Sequence, residues 1–219
     1  MEIDNLVGME KLTKLQLDNN IITKIQGLNS LVNLTWLDLS FNLIEKIEGL
    51  DTLSKLEDLA LFSNRITKLE GLENLPRLNV LSVGNNELDS LEFNIKYLSG
   101  LKNNLEVLKI RGNKFKETQQ EGKDYKQYTI AYLQNLKYLD YELIEEKERD
   151  AAIDNHKDEM INNAANDANE EKGGDAEGAV SEELIAAKIE TTVNMFHNVL
   201  KQCEDYTKVK AFQKFLDVY

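Results

Sequence analysis

Acid–base, nucleophilic and metal chemistry need His, Cys or paired carboxylates at defined spacings. This 219-residue chain supplies few of them. Its two histidines, His156 and His197, stand far apart in sequence, and Cys203 is the single cysteine. No HExxH, CxxC, GxSxG, P-loop or GxGxxG spacing occurs. Glu145–Glu146 lies in a charged helical stretch, where such pairs are solvated surface rather than a catalytic dyad. His197 reads as a packing residue. Cys203 falls on an apolar helical stripe, where burial raises a thiol pKa and disfavours a nucleophile. No enzyme, cofactor or metal site is expected. The chemistry left is recognition, and it centres on the single Trp36 and on Phe62.

The elements that would position these aromatics repeat every 22 residues. Leu12, Leu15, Leu17, Asn20, Ile22, Ile25, Gly27, Leu28 and Leu31 recur as Leu34, Leu37, Leu39, Asn42, Ile44, Ile47, Gly49, Leu50 and Leu53. They recur again as Leu56, Leu59, Leu61, Asn64, Ile66, Leu69, Gly71, Leu72 and Leu75. A repeat of this length is one coil of a solenoid, since a single copy cannot bury its own apolar face. Each LxxLxLxxN half predicts a short parallel strand with leucines alternating inward. The IxxIxGL half predicts a convex turn, with 22 residues leaving room for 3₁₀ pieces rather than a full helix. Gly27, Gly49 and Gly71 would relieve a backbone conformation or a close approach. Asn20, Asn42, Asn64, Asn86 and Asn113 would stack as a structural ladder serving loop backbone groups. The fourth copy is 27 residues long, and Ile95, Leu98 and Leu101 predict a longer convex helix there.

Aligning the copies places three columns on the solvent side of the strands. They run Lys14, Trp36, Asp58, Val80, Val107; then Gln16, Asp38, Ala60, Ser82, Lys109; then Asp18, Ser40, Phe62, Gly84, Arg111. Lys14, Gln16, Trp36, Asp38, Asp58, Ala60, Phe62, Val80, Lys109 and Arg111 make up the candidate protein-binding face. Clustered Trp and Phe give it the composition of a hot spot, and Lys109 and Arg111 give it a basic edge. Phe41, two positions past Leu39, is expected to turn into the core.

Charge and composition order the rest. Residues 1–141 hold 17 Lys+Arg and 20 Asp+Glu, leaving 9 and 19 of the totals 26 and 39 for residues 142–219, so most of the net −13 lies at the C-terminal end. Such a balance disfavours nucleic acid, anionic membrane and direct contact with tubulin. No signal peptide or spanning segment is read, and one cysteine suits a reducing compartment. The expected organisation is a solenoid over 1–141 with a cap at about 117–141, an acidic exposed helix over 142–171, a flexible linker over 172–180, and an amphipathic helix over 181–219. In the last of these, Ile189, Val193, Phe196, Leu200 and Cys203 form a partner-facing, coiled-coil seam. Residues 1–11 read as the back half of a repeat and the apolar face still runs at Tyr219, so a partner or further residues are expected at both ends.

The LxxLxLxxN pattern resembles the leucine-rich repeat, and Tyr132-Leu133-Gln134-Asn135-Leu136-Lys137-Tyr138-Leu139-Asp140 is similar to the closing cap of its SDS22-like class, with Gln134 where proline is usual. The expected fold is thus an α/β leucine-rich-repeat solenoid followed by an α-helical extension. Leu15 through Ile22, Trp36 through Asn42, Glu48 through Leu53, Leu56 through Phe62 and Asp124 through Tyr141 resemble the subunit 3 family of the nexin–dynein regulatory complex of motile cilia and flagella. That resemblance spans about residues 1–145. It implies a cytoskeletal scaffold in the axoneme, in contact with coiled-coil sibling subunits and with dynein arms. A phosphatase-regulatory SDS22-like protein and a dynein light-chain-like repeat protein touching a motor head are the alternatives.

Overall fold

The computed structural model describes residues 3–101, 104–116 and 122–170, with side chains as far as Asn163. Residues 1–165 form one compact unit; of the second, 166–219, the described residues are the end of a helix. The linker at 172–180, the helix at 181–219 and its residues Ile189, Val193, Phe196, Leu200 and Cys203 lie outside the described residues.

Seven strands form one sheet in chain order: β1 (Lys14–Gln16), β2 (Trp36–Asp38), β3 (Asp58–Ala60), β4 (Val80–Ser82), β5 (Val107–Lys109), β6 (Tyr138–Leu139) and β7 (Glu142–Leu143). The first six run parallel and β7 returns antiparallel to β6. Register follows from the repeat: Leu15, Leu37, Leu59, Leu81, Leu108 and Leu139 stand side by side, and all but the edge residue Leu15 are buried. A one-residue slip would turn these leucines to solvent, so the register is strongly fixed. The convex side is built of turns closed by i→i−3 hydrogen bonds, as where Leu31 N donates to Leu28 O and Leu34 N to Leu31 O.

Asparagine ties successive coils together. Asn64 Nδ2 donates to Leu39 O (3.0 Å) and Leu61 O (3.2 Å), while its Oδ1 accepts from Ile44 N (3.0 Å). Asn42, Asn86 and Asn113 make the same set of contacts in their own coils. Asn20 opens the ladder, bonding its own coil at Leu17 O and Asp18 O. The glycines answer both demands the sequence raised: Gly49 sits at φ 68°, and a Cβ there would lie 2.7 Å from Ile25 O of the preceding coil. Gly27 and Gly71 meet the carbonyls of Ile3 and Ile47 in the same way.

Helix α1 (Leu91–Ser99) takes up the extra residues of the fourth coil, with Ser90 as its N-cap. Buried Asn94 accepts from Leu69 N (2.7 Å) and Tyr97 Oη accepts from Leu72 N (2.8 Å). Its side chains thus serve backbone donors of the coil before it.

Closure comes later than Tyr141 and is less solvated than the sequence suggests. Ile144 and Ala152 belong to the core, and helix α3 (Glu146–Glu170) packs on the cap helix α2 (Tyr125–Tyr132). His156 meets Tyr128 edge-on (5.6 Å), Asn163 donates to Tyr132 Oη (3.1 Å) and Lys123 pairs with Glu159 (2.9 Å). The docking face runs Arg149, Ala152, Ile153, His156, Met160 and Asn163. A low apolar count hid this face because Ala, His and Asn make the contacts.

Candidate protein-binding face

Strand register brings the predicted columns together. Trp36, Asp58, Val80 and Val107 are direct neighbours in one row, and Asp38, Ala60, Ser82 and Lys109 in the next. Lys14 and Gln16 extend both rows onto β1, where they are exposed. Tyr138 continues the first row beyond Val107 and is 43% exposed. Sequence alignment missed it; the Leu139–Asp140 spacing of the cap segment held the clue, because Leu139 aligns with Leu108.

Side chains in these rows are held by one another. Trp36 stands directly across from Asp58 in the register of β2 and β3. Partial burial raises the Asp58 pKa above its ordinary 3.8, Lys109 pulls it back, the neighbouring Asp38 pushes it up, and the nearby Trp36 indole lowers it; the net is a rise. Asp38 Oδ1 accepts from Ser40 N (2.9 Å), fixing the strand's exit. On the other side, Lys109 Nζ sits 4.4 Å from the centroid of the Tyr141 ring, within cation–π range. Among the described residues, neither Lys109 nor Arg111 lies within ion-pair distance of a carboxylate, whereas Lys114, Lys116 and Lys137 on the outer loops are paired.

The third row holds the aromatic ridge. Phe62 lies over Gly84, where an added Cβ would come 3.2 Å from the ring and 2.9 Å from Arg111 O. Phe41 is not in the core: it is 50% exposed and packs edge-on against Phe62. The reason is backbone. Phe41 has φ 55°, which breaks the in–out alternation of the strand and swings its side chain outward. The residue before each ladder asparagine shares this left-handed backbone: Asn19, Ser63, Asn85 and Gly112 occupy it in the other coils. Small polar residues and glycine tolerate it, and a large aromatic does so at a cost. That contrast of residue types was the available signal.

Asp140 and Tyr141, at φ 48° and 73°, form the two-residue turn between β6 and β7. Asp140 Oδ1 accepts from Ile110 N (2.7 Å) and Arg111 N (3.0 Å), and its Oδ2 accepts from Tyr125 Oη (3.1 Å). Burial, with this carboxylate beside it, pushes the Tyr125 phenol up to about 12. The turn leaves Tyr141 77% exposed at the end of the face. Among the described residues, no three His, Cys, Asp or Glu side chains gather as a metal site, and no helix is long and apolar enough to cross a membrane.

The leucine-rich-repeat family profile matches residues 29–169. The chain is similar to a chain of the Drosophila melanogaster SNF/U2A′ complex, at 28% identity over 70% of this chain and 87% of that one, with a TM-score of 0.59. It also resembles internalin C2 of Listeria monocytogenes, at 30% identity over 60% of this chain and 52% of that one, with a TM-score of 0.48. None of the curated protein sequences compared with the chain matches it. Coil, ladder, cap and profile agree, and the chain belongs to the leucine-rich-repeat family.

Proposed function

We propose that this protein is a non-enzymatic scaffold subunit of the axonemal nexin–dynein regulatory complex, holding a sibling subunit on its concave face and helping to link doublets and regulate dynein. The observation that carries the binding role is the ridge of Phe41 and Phe62 beside Trp36. Phe41 is 50% exposed against the partly buried Phe62, with partly buried Trp36 on the same face, and Phe41 is kept there by a backbone conformation that disfavours it. The chain's similarity to a protein crystallised as part of a complex accords with that role. The ciliary setting rests on the family resemblance over about residues 1–145. Residues 181–219 would join a coiled coil of the same assembly.

The test is capture from isolated axonemes with the full chain as bait, alongside a Trp36→Ala/Phe62→Ala variant. The expected result is recovery of coiled-coil regulatory-complex subunits by the wild-type chain and their loss with the variant. Recovery of a phosphatase catalytic subunit without axonemal proteins would overturn the ciliary reading. Undiminished recovery with the variant would remove the site from the concave face.

A further inference from the structure

A partner seated on this face cannot use its backbone to dock. The N–H and C=O groups of β2 to β5 are already bonded to neighbouring strands, as between Leu39 N and Ala60 O (2.8 Å) or Leu61 N and Ser82 O (2.7 Å). Recognition must therefore run through side chains, which favours an occupant that satisfies its own backbone internally. Three rows of side chains make the face about 13 Å wide, from the ~3.3 Å rise per strand residue. One α-helix with its side chains is about 10–12 Å across.

Inside the edge strand β1, which carries Lys14, charge is segregated along the sheet. Asp38 and Asp58 stand on β2 and β3, and Lys109 stands on β5 with Arg111 just beyond it. Between them lie Ala60, Phe62 and Val80. None of the four charged groups has an ion-pair partner among the described residues. The two carboxylates repel one another, and Asp58 is partly desolvated. Two to three strand spacings separate the poles, about 10–14 Å, or roughly seven to nine residues of helix at 1.5 Å per residue.

Resting on the concave-face reading above, we propose that the segment this face holds is an amphipathic helix lying across the strands, with basic residues at the end over Asp38 and Asp58, acidic residues at the end over Lys109 and Arg111, and an apolar stripe between. Complementary charge at both ends fixes which way the helix lies. A helix with one sign at both ends meets a like charge at one pole.

The experiment titrates the full chain calorimetrically with three synthetic helical peptides of about 18 residues sharing one Leu/Ala stripe, long enough to span both poles. One carries Lys at one end and Glu at the other, one carries Lys at both ends, and one carries Glu at both. The bipolar peptide should bind at least about tenfold tighter than either rival at low salt, with the margin shrinking as salt rises. An Asp38→Lys/Asp58→Lys variant should come to prefer the all-Glu peptide, and a Lys109→Glu/Arg111→Glu variant, which leaves the Asp38–Ser40 bond in place, the all-Lys one. Equal binding of all three, or binding of none, overturns the helix inference. The concave-face reading then stands or falls separately, on whether axonemal capture still depends on Trp36 and Phe62.

Discussion

The ring of Phe41 meets Phe62 edge to face, 5.6 Å between centroids with 66° between planes, and reaches it from a left-handed backbone. At the equivalent position the other coils carry Asn, Ser or Gly. Backbone preference alone would select one of those residues here, and the proposed binding role supplies a reason for the aromatic in a contact outside the chain. Replacing Phe41 with Asn, as in the first and fourth coils, should leave the urea midpoint unchanged or raise it, while weakening capture of the partner by about 2 kcal/mol. A marked fall in the midpoint would make Phe41 a packing residue instead.

Asp58 gives a pH signature. Its folded pKa lies above the ordinary 3.8, so as pH rises the unfolded chain releases this proton first. The charged carboxylate then counts against folding once pH passes through that window and above it. Asp58→Asn should therefore be more stable than wild type at neutral pH, and the difference should close as pH falls below about 3.8. Urea titrations of both proteins across that range check this; a difference that grows on acidification contradicts it.

Two glycines separate conformational strain from collision. Gly8 and Gly49 both have positive φ, but an added Cβ meets nothing within 4 Å at Gly8 and lies 2.7 Å from Ile25 O at Gly49. Gly8→Ala should cost about 1–2 kcal/mol from the left-handed backbone alone. Gly49→Ala should cost more, because the clash is with main chain of the preceding coil. Denaturant unfolding of the two variants measures the gap.

The asparagine ladder predicts a graded cost. Asn64→Ala strands the Ile44 N–H in the core and removes one of two amide donors from each of the Leu39 and Leu61 carbonyls, whereas Asn20, only partly buried, accepts from no earlier coil among the described residues. With roughly 1–3 kcal/mol for each buried group left unpaired, Asn64→Ala should exceed Asn20→Ala by about 2 kcal/mol. Equal losses would mean that the ladder does not bridge coils.

Most of the solenoid was legible because its signals are local and repeated. Leu37, Leu59 and Leu81 hold their register over a fixed period, and the same spacing lines up Trp36 with Asp58 and Asp38 with Ala60. What escaped depends on departures from that period. Alternation points Phe41 inward, and a single positive φ sends it out. Helix α3 reads as solvated because its contacts run through Ala152, His156 and Asn163 as much as through Ile153 and Met160, and so sparse an apolar stripe does not mark the face. Tyr141 reaches the site beside Lys109 from the hairpin turn that leads into β7, the strand that reverses the parallel order.

Trp36 is the single tryptophan of the chain and stands in the middle of the proposed site, so its emission reports directly on occupancy. The partner captured by the wild-type chain should be titrated while Trp36 emission and acrylamide quenching are followed, after masking any tryptophan of the partner with a fluorinated analogue. A blue shift and loss of quenching that saturate with binding are expected, both absent in Phe41→Asn at the same concentration. A fully formed complex with Trp36 emission and quenching unchanged would contradict the concave-face site and place the partner elsewhere on the molecule.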